Sequence, residues 1–156
     1  MDDNTVPYAD LLAELLEDLM EEYSGEPDWG IAADIVATLG ELNCTNGLSD
    51  EWSTTLERAE RLIQSFDLRK VAEDIPSRLW VVLSYTDELH EAMTNPVCAE
   101  SALTEVICAT DDLLDSRRRL AFLVAELAIR DMFVCEHIHE ELRQIDKKIH
   151  NLMGSV

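Results

Sequence analysis

Apolar residues recur along this chain at steps of three and four, the repeat that gathers them on one side of an α-helix. The first run is Tyr8, Leu11, Leu12, Leu15, Leu16, Leu19 and Tyr23, with Asp10, Glu14, Glu17, Asp18, Glu21 and Glu22 on the other side. It predicts an amphipathic helix ending near Ser24-Gly25, where glycine takes the left-handed cap conformation. Glu26-Pro27-Asp28 predicts a turn into a second helix with Ile31, Ile35, Leu39 and Leu42 inward, and 43–47 reads as a loop. Ser49 and Asp50 are cap candidates for a third helix. Its inner row is Trp52, Leu56, Ala59, Ile63 and Phe66, and Glu57 and Arg61 form a pair four residues apart.

The Ile75-Pro76 step disfavours helix through it, so the next helix is expected to begin at Ser77 and to stop at Thr94, ahead of Pro96. Its inward side is Leu79, Val82, Leu83, Thr86, His90 and Met93. From Val97 to Met153 there is neither glycine nor proline. One unbroken helix there would run to about 85 Å, too long for a compact domain. Thr110, Asp111, Asp115 and Ser116 all offer caps, which predicts a break there and helices of 97–113 and 117–152. The second would carry Val124, Leu127, Ala128, Met132, Cys135, Ile138, Leu142, Ile145 and Ile149 inward. Leu79 to Tyr85 is the one stretch that could form a strand, and it has no partner strand elsewhere. The expected fold is all-α: a single-domain bundle of five or six helices over 1–156 with a long C-terminal helix.

Composition fits that picture and adds a constraint. At 156 residues and 47% hydrophobic, the chain can bury a core. No apolar stretch reaches the roughly 20 residues of a membrane span, since Leu120 to Ile129 is short and interrupted by Glu126. The acidic start, Met1-Asp2-Asp3, is unlike a secretion signal, so a cytoplasmic location is expected. Cys44, Cys98, Cys108 and Cys135 show no paired short spacing and read as reduced, mostly buried thiols.

Charge changes the picture most. Thirty-three acidic side chains stand against twelve basic ones, a formal net charge of -21. Residues 1–57 hold fifteen of the acids and no lysine or arginine, the first basic residue being Arg58. Solvated helix faces and halophilic adaptation are the plain explanations of acidity, but halophilic acid would spread over the whole surface. From Asp10 to Glu22 six carboxylates occupy about 18 Å of helix, roughly one per 3 Å, close to the 3.4 Å phosphate spacing of one DNA strand. Arg117-Arg118-Arg119 is the one basic cluster, and its spacing from Asp115 predicts local ion pairs instead of direct nucleic-acid binding.

Catalytic signatures are sparse. There is no nucleophile elbow and no phosphate-cradling glycine loop. Asp87-Glu88-Leu89-His90 and Glu136-His137-Ile138-His139 place acid and imidazole on neighbouring turns, the pattern used with two lone glutamates in di-metal carboxylate bundles. Glu57 or Glu60, and Glu105, would be the lone ligands, and Cys135 with His139 is a further pair. The expectation is nonetheless a binding protein and not an enzyme, with no cofactor or metal. It would be an inhibitor or sequestering partner of a basic nucleic-acid-binding protein, of the phage or mobile-element type, acting by DNA or RNA mimicry. Asp10, Glu14, Glu17, Asp18, Glu21 and Glu22 would be the contact residues. Alternatives are the di-metal bundle and a dimeric helical adaptor or chaperone module, which a tryptophan on the surface, whether Trp29, Trp52 or Trp80, would favour.

Overall fold

The computed structural model describes residues 7–94, 102–130 and 136–154. Among them the chain is all-α, without a strand: α1 (Tyr8–Gly25), α2 (Trp29–Asn43), a one-turn 3-10 helix (Asp50–Trp52), α3 (Ser53–Gln64), α4 (Leu68–Ala72), α5 (Ile75–Thr94), α6 (Ala102–Ile129) and α7 (Glu136–Gly154). Six helices have twelve residues or more, in line with the expected bundle class. The chain packs as two compact units, Met1–Asp74 with Ala121–Met132, and Ile75–Leu120 with Phe133–Val156.

The first unit is organised around α2. Ile35, Val36, Ala37, Thr38, Leu39, Gly40, Glu41 and Leu42 are all buried, so this helix is apolar on nearly every side, the mark of a helix enclosed by others. Each fully buried Ile or Leu here is worth roughly 1.5–3 kcal/mol over an exposed one. α1, α3 and α4 pack against it. Gly40 meets the part of α6 that belongs to this unit: a Cβ there would lie 3.2 Å from a Glu126 carboxylate oxygen and 3.4 Å from the Phe122 carbonyl oxygen. Glycine lets those two helices approach more closely than a larger side chain would.

The buried side of α1 differs from the expected one. Ala9, Leu12, Ala13, Leu16 and Met20 face inward, while Tyr8 and Leu11 are 49% exposed. The helix is turned toward its alanines because small side chains allow it to lie close against α2. Tyr8 stays attached at its tip, its hydroxyl donating to the buried Glu41 carboxylate. Gly25 also departs from expectation: α1 runs through it and is capped by Glu26, whose N–H donates to the Glu22 carbonyl at 2.9 Å. The one positive-φ glycine among the described residues is Gly47, at φ 90°, in the loop after α2. Tyr23 and Trp29 both pack on Phe66, with ring centroids 5.1 and 6.3 Å away, tying the end of α1 and the start of α2 to the turn that follows α3.

In the second unit α5 packs on α7. α5 begins at Ile75, two residues before the expected start, since Pro76 in the first turn lacks only an N–H that would have no helical acceptor. Its buried row is Ile75, Leu79, Val82, Thr86 and Leu89; Leu83 and His90, expected inward, are exposed. Ile145 and Ile149 of α7 are buried as expected.

α6 runs without a break through the segment expected to divide it. Three of the four candidate caps bond within the helix, and the fourth, Asp111, is exposed. Thr110 Oγ1 donates to the Val106 carbonyl at 2.7 Å and Ser116 Oγ to the Leu113 carbonyl at 3.2 Å. Asp115 pairs with Arg118 and with Arg119 at 3.4 Å, three and four residues on, as its spacing implies. Ala128, expected inward, is exposed, and Met132 and Cys135 lie outside the described residues. Of the cysteines, Cys44 and Cys108 are exposed free thiols, contrary to the buried expectation, and Cys98 also lies outside the described residues.

Candidate acidic docking surface

α1 holds the six carboxylates singled out from sequence, and the structure separates them by role. Glu14, Asp18, Glu21 and Glu22 are exposed, with no ion pair to another described residue. At 100° per residue they share the side of α1 opposite Ala9, Leu12, Leu16 and Met20. Glu17 is half-buried and stands 4.0 Å from the Arg58 guanidinium of α3. Glu14 to Glu22 covers about 12 Å of axis, so the five carboxylates keep the one-per-3 Å spacing. The exposed halves of Tyr8 and Leu11 border them with apolar surface.

Asp10 does not belong with the others. It is 8% exposed, and its carboxylate accepts from the Ser49 backbone N–H at 3.1 Å and the Ser49 hydroxyl at 2.8 Å. Asp10 thereby holds the start of the 3-10 turn that leads into α3. Ser49, expected as a cap in its own right, instead donates its side chain to α1. Both oxygens of this carboxylate are thus engaged within the chain. Only the separation of 39 residues hid this from the sequence pattern.

The surroundings keep the surface negative. Residues 7–74 hold seventeen acidic and four basic side chains. Glu26, Asp28, Asp50, Glu51 and Glu57 are also exposed, Glu57 facing Arg61 at 3.8 Å. A further set of charges is internal. Arg130 donates to Glu60 at 2.7 Å and lies 3.1 Å from buried Glu126. Burial pushes the Arg130 guanidinium down, but the hydrogen bond and charge of Glu60 and the charge of Glu126 outweigh it and hold Arg130 above its ordinary value.

Beside the carboxylates, where α1 ends and α3 passes, lies a cleft of about 370 Å³ lined by Met20, Tyr23, Ser24, Pro27, Arg58 and Leu62. It continues into a second hollow bounded by Glu17, Asp18 and Glu21, with Met20, Ser24 and Arg58 common to both. Neither this cleft nor the contact of Arg58 with Glu17 follows from the periodicity of either helix taken alone.

The residues of the di-metal alternative are engaged elsewhere or apart. Asp87 faces Lys148 at 3.4 Å, Glu136 faces Arg143 at 3.4 Å, and Glu60 faces Arg130. His90 is exposed. Glu105 lines a hollow of about 300 Å³ with Glu88, Glu91, Cys108 and Asp112. Among the described residues no three His, Cys, Asp or Glu side chains are placed to share a metal ion. Arg117, first of the basic cluster, makes a two-pronged contact with Asp146 of α7, which holds its guanidinium above the ordinary arginine value.

Comparison with protein-family models, with curated proteins and with solved structures returns no match. What the chain does must therefore be inferred from its own residues.

Proposed function

We propose that this protein binds a basic nucleic-acid-binding protein and occupies its DNA or RNA groove, inhibiting or sequestering it. The observation that carries the reading is the row Glu14, Asp18, Glu21 and Glu22, exposed on a helix that α2 anchors from behind. Carboxylates at phosphate-like intervals on a packed helix give a basic groove the counterion-release term that nucleic acid gives it. The contact set is Glu14, Glu17, Asp18, Glu21 and Glu22, without Asp10.

The test uses a fluorescent duplex DNA bound to an arginine-rich, DNA-binding peptide. The protein should displace the DNA, and its affinity for the peptide should fall steeply as salt rises. Reversing Glu14, Asp18, Glu21 and Glu22 to lysine should abolish displacement and flatten the salt slope, with the helical circular dichroism unchanged. Displacement with an unaltered slope in that variant would sink the proposal.

A second reading has an observation of its own. Trp80 is 68% exposed on α5, and Leu83, 37% exposed, lies one turn on along the same side. Exposed large apolar side chains grouped on one helix favour self-association, as in a dimeric adaptor.

A further inference from the structure

An acidic surface attracts any cation, yet here it adjoins a cleft whose walls are largely carbon. Met20, Tyr23, Pro27 and Leu62 line it, and Glu17 and Glu21 line the hollow that adjoins it through Met20, Ser24 and Arg58. Arginine and lysine are amphipathic, laying a hydrocarbon stem on apolar surface while the charged head stays with water or a carboxylate. Arg58 already does part of this from within the chain: it lines the cleft and reaches Glu17 at 4.0 Å. Its side chain is 55% exposed and the contact is long, so the hold is weak and readily exchanged.

We propose that the cleft between the end of α1 and α3 receives an arginine side chain of the basic partner, its stem against Tyr23 and Leu62 and its guanidinium on Glu17 and Glu21, in place of Arg58. This rests on the docking surface proposed above and names the anchor within it. Charge complementarity selects the occupant: the rim is acidic, the floor apolar, and the cation already present is itself an arginine. A planar guanidinium also stacks on a tyrosine ring, which an ammonium does less well. Arg58 thus acts as an internal competitor that fills the site until the partner arrives.

Hexa-arginine and hexa-lysine peptides, labelled at one end, provide the probe, with affinity read by fluorescence anisotropy at fixed low salt. Hexa-arginine should bind more tightly than hexa-lysine. Ser24→Trp, at an exposed position that lines the cleft, should fill it without altering charge and weaken hexa-arginine binding about five-fold or more, bringing it close to hexa-lysine. Arg58→Gln should do the opposite, strengthening binding about two- to five-fold, the range expected when a surface ion pair stops competing. Methyl resonances of Leu62 should shift on hexa-arginine addition in the wild-type chain and not in Ser24→Trp. Equal affinity of the two peptides, or no effect of either substitution, overturns the cleft assignment. If the four lysine reversals on α1 still abolish binding in that case, the acidic surface stands and only its anchor is lost; if they too have no effect, both readings fail.

Discussion

Asp10 shows how one position in a charged row can carry a different role from its neighbours. Its carboxylate accepts two hydrogen bonds from Ser49 and is itself largely buried. Replacing Asp10 with alanine leaves the Ser49 N–H and hydroxyl without that acceptor, at a cost of about 1–3 kcal/mol. Urea denaturation of Asp10→Ala should show a loss of that size, whereas Glu14→Ala, at an exposed position, should stay within about 0.5 kcal/mol. For binding to hexa-arginine the order should reverse, with Glu14→Ala the weaker binder. A stability loss at Glu14 matching that at Asp10 would contradict this division of labour.

Among elements, the contact of α2 with α6 at Gly40 is the most sensitive to volume. Alanine at Gly40 gains about 1 kcal/mol of helix propensity but presses its methyl on Glu126 and on a backbone carbonyl that has little room to move. The two effects should nearly cancel. Leucine has the same propensity gain and no space at all, so Gly40→Leu should lose about 1–3 kcal/mol beyond Gly40→Ala in thermal or chemical melts. The helices themselves were legible where apolar spacing and turn residues agree, as at α1, α2 and α3. α6 was misdivided because threonine, serine and aspartate carry the same cap signal whether they bond across a helix start or back onto the preceding turn. Which side of α1 is buried depended on the alanines, which carry little hydrophobic weight in sequence but decide how closely two helices approach. The exposed acids of the candidate site were legible for the same reason as the helix; Asp10 and the cleft were not, because both depend on residues brought together by folding.

For the molecule as a whole, the two functional readings respond to salt in opposite directions. A net charge of -21 makes copies of the chain repel one another, and screening removes that repulsion. Self-association through the apolar side chains around Trp80 should therefore strengthen with salt, while capture of a basic partner should weaken. Sedimentation equilibrium at about 50 and 500 mM salt, spanning a several-fold change in screening length, separates them. If Trp80 mediates a dimer, the mean mass rises with salt in the wild-type chain and stays that of a monomer in Trp80→Lys. A monomer under both conditions removes the adaptor reading and leaves the docking surface as the sole proposal.

From Ile35 to Leu42, α2 has no residue open to water. Deuterium reaches its amides only when the helices around it separate, so fraying at the edges of the unit leaves them untouched. Their exchange acts as a clock for the opening of the first unit as a whole. A ligand gripping α1 alone slows that clock by the factor through which it favours the closed state, though it never touches α2.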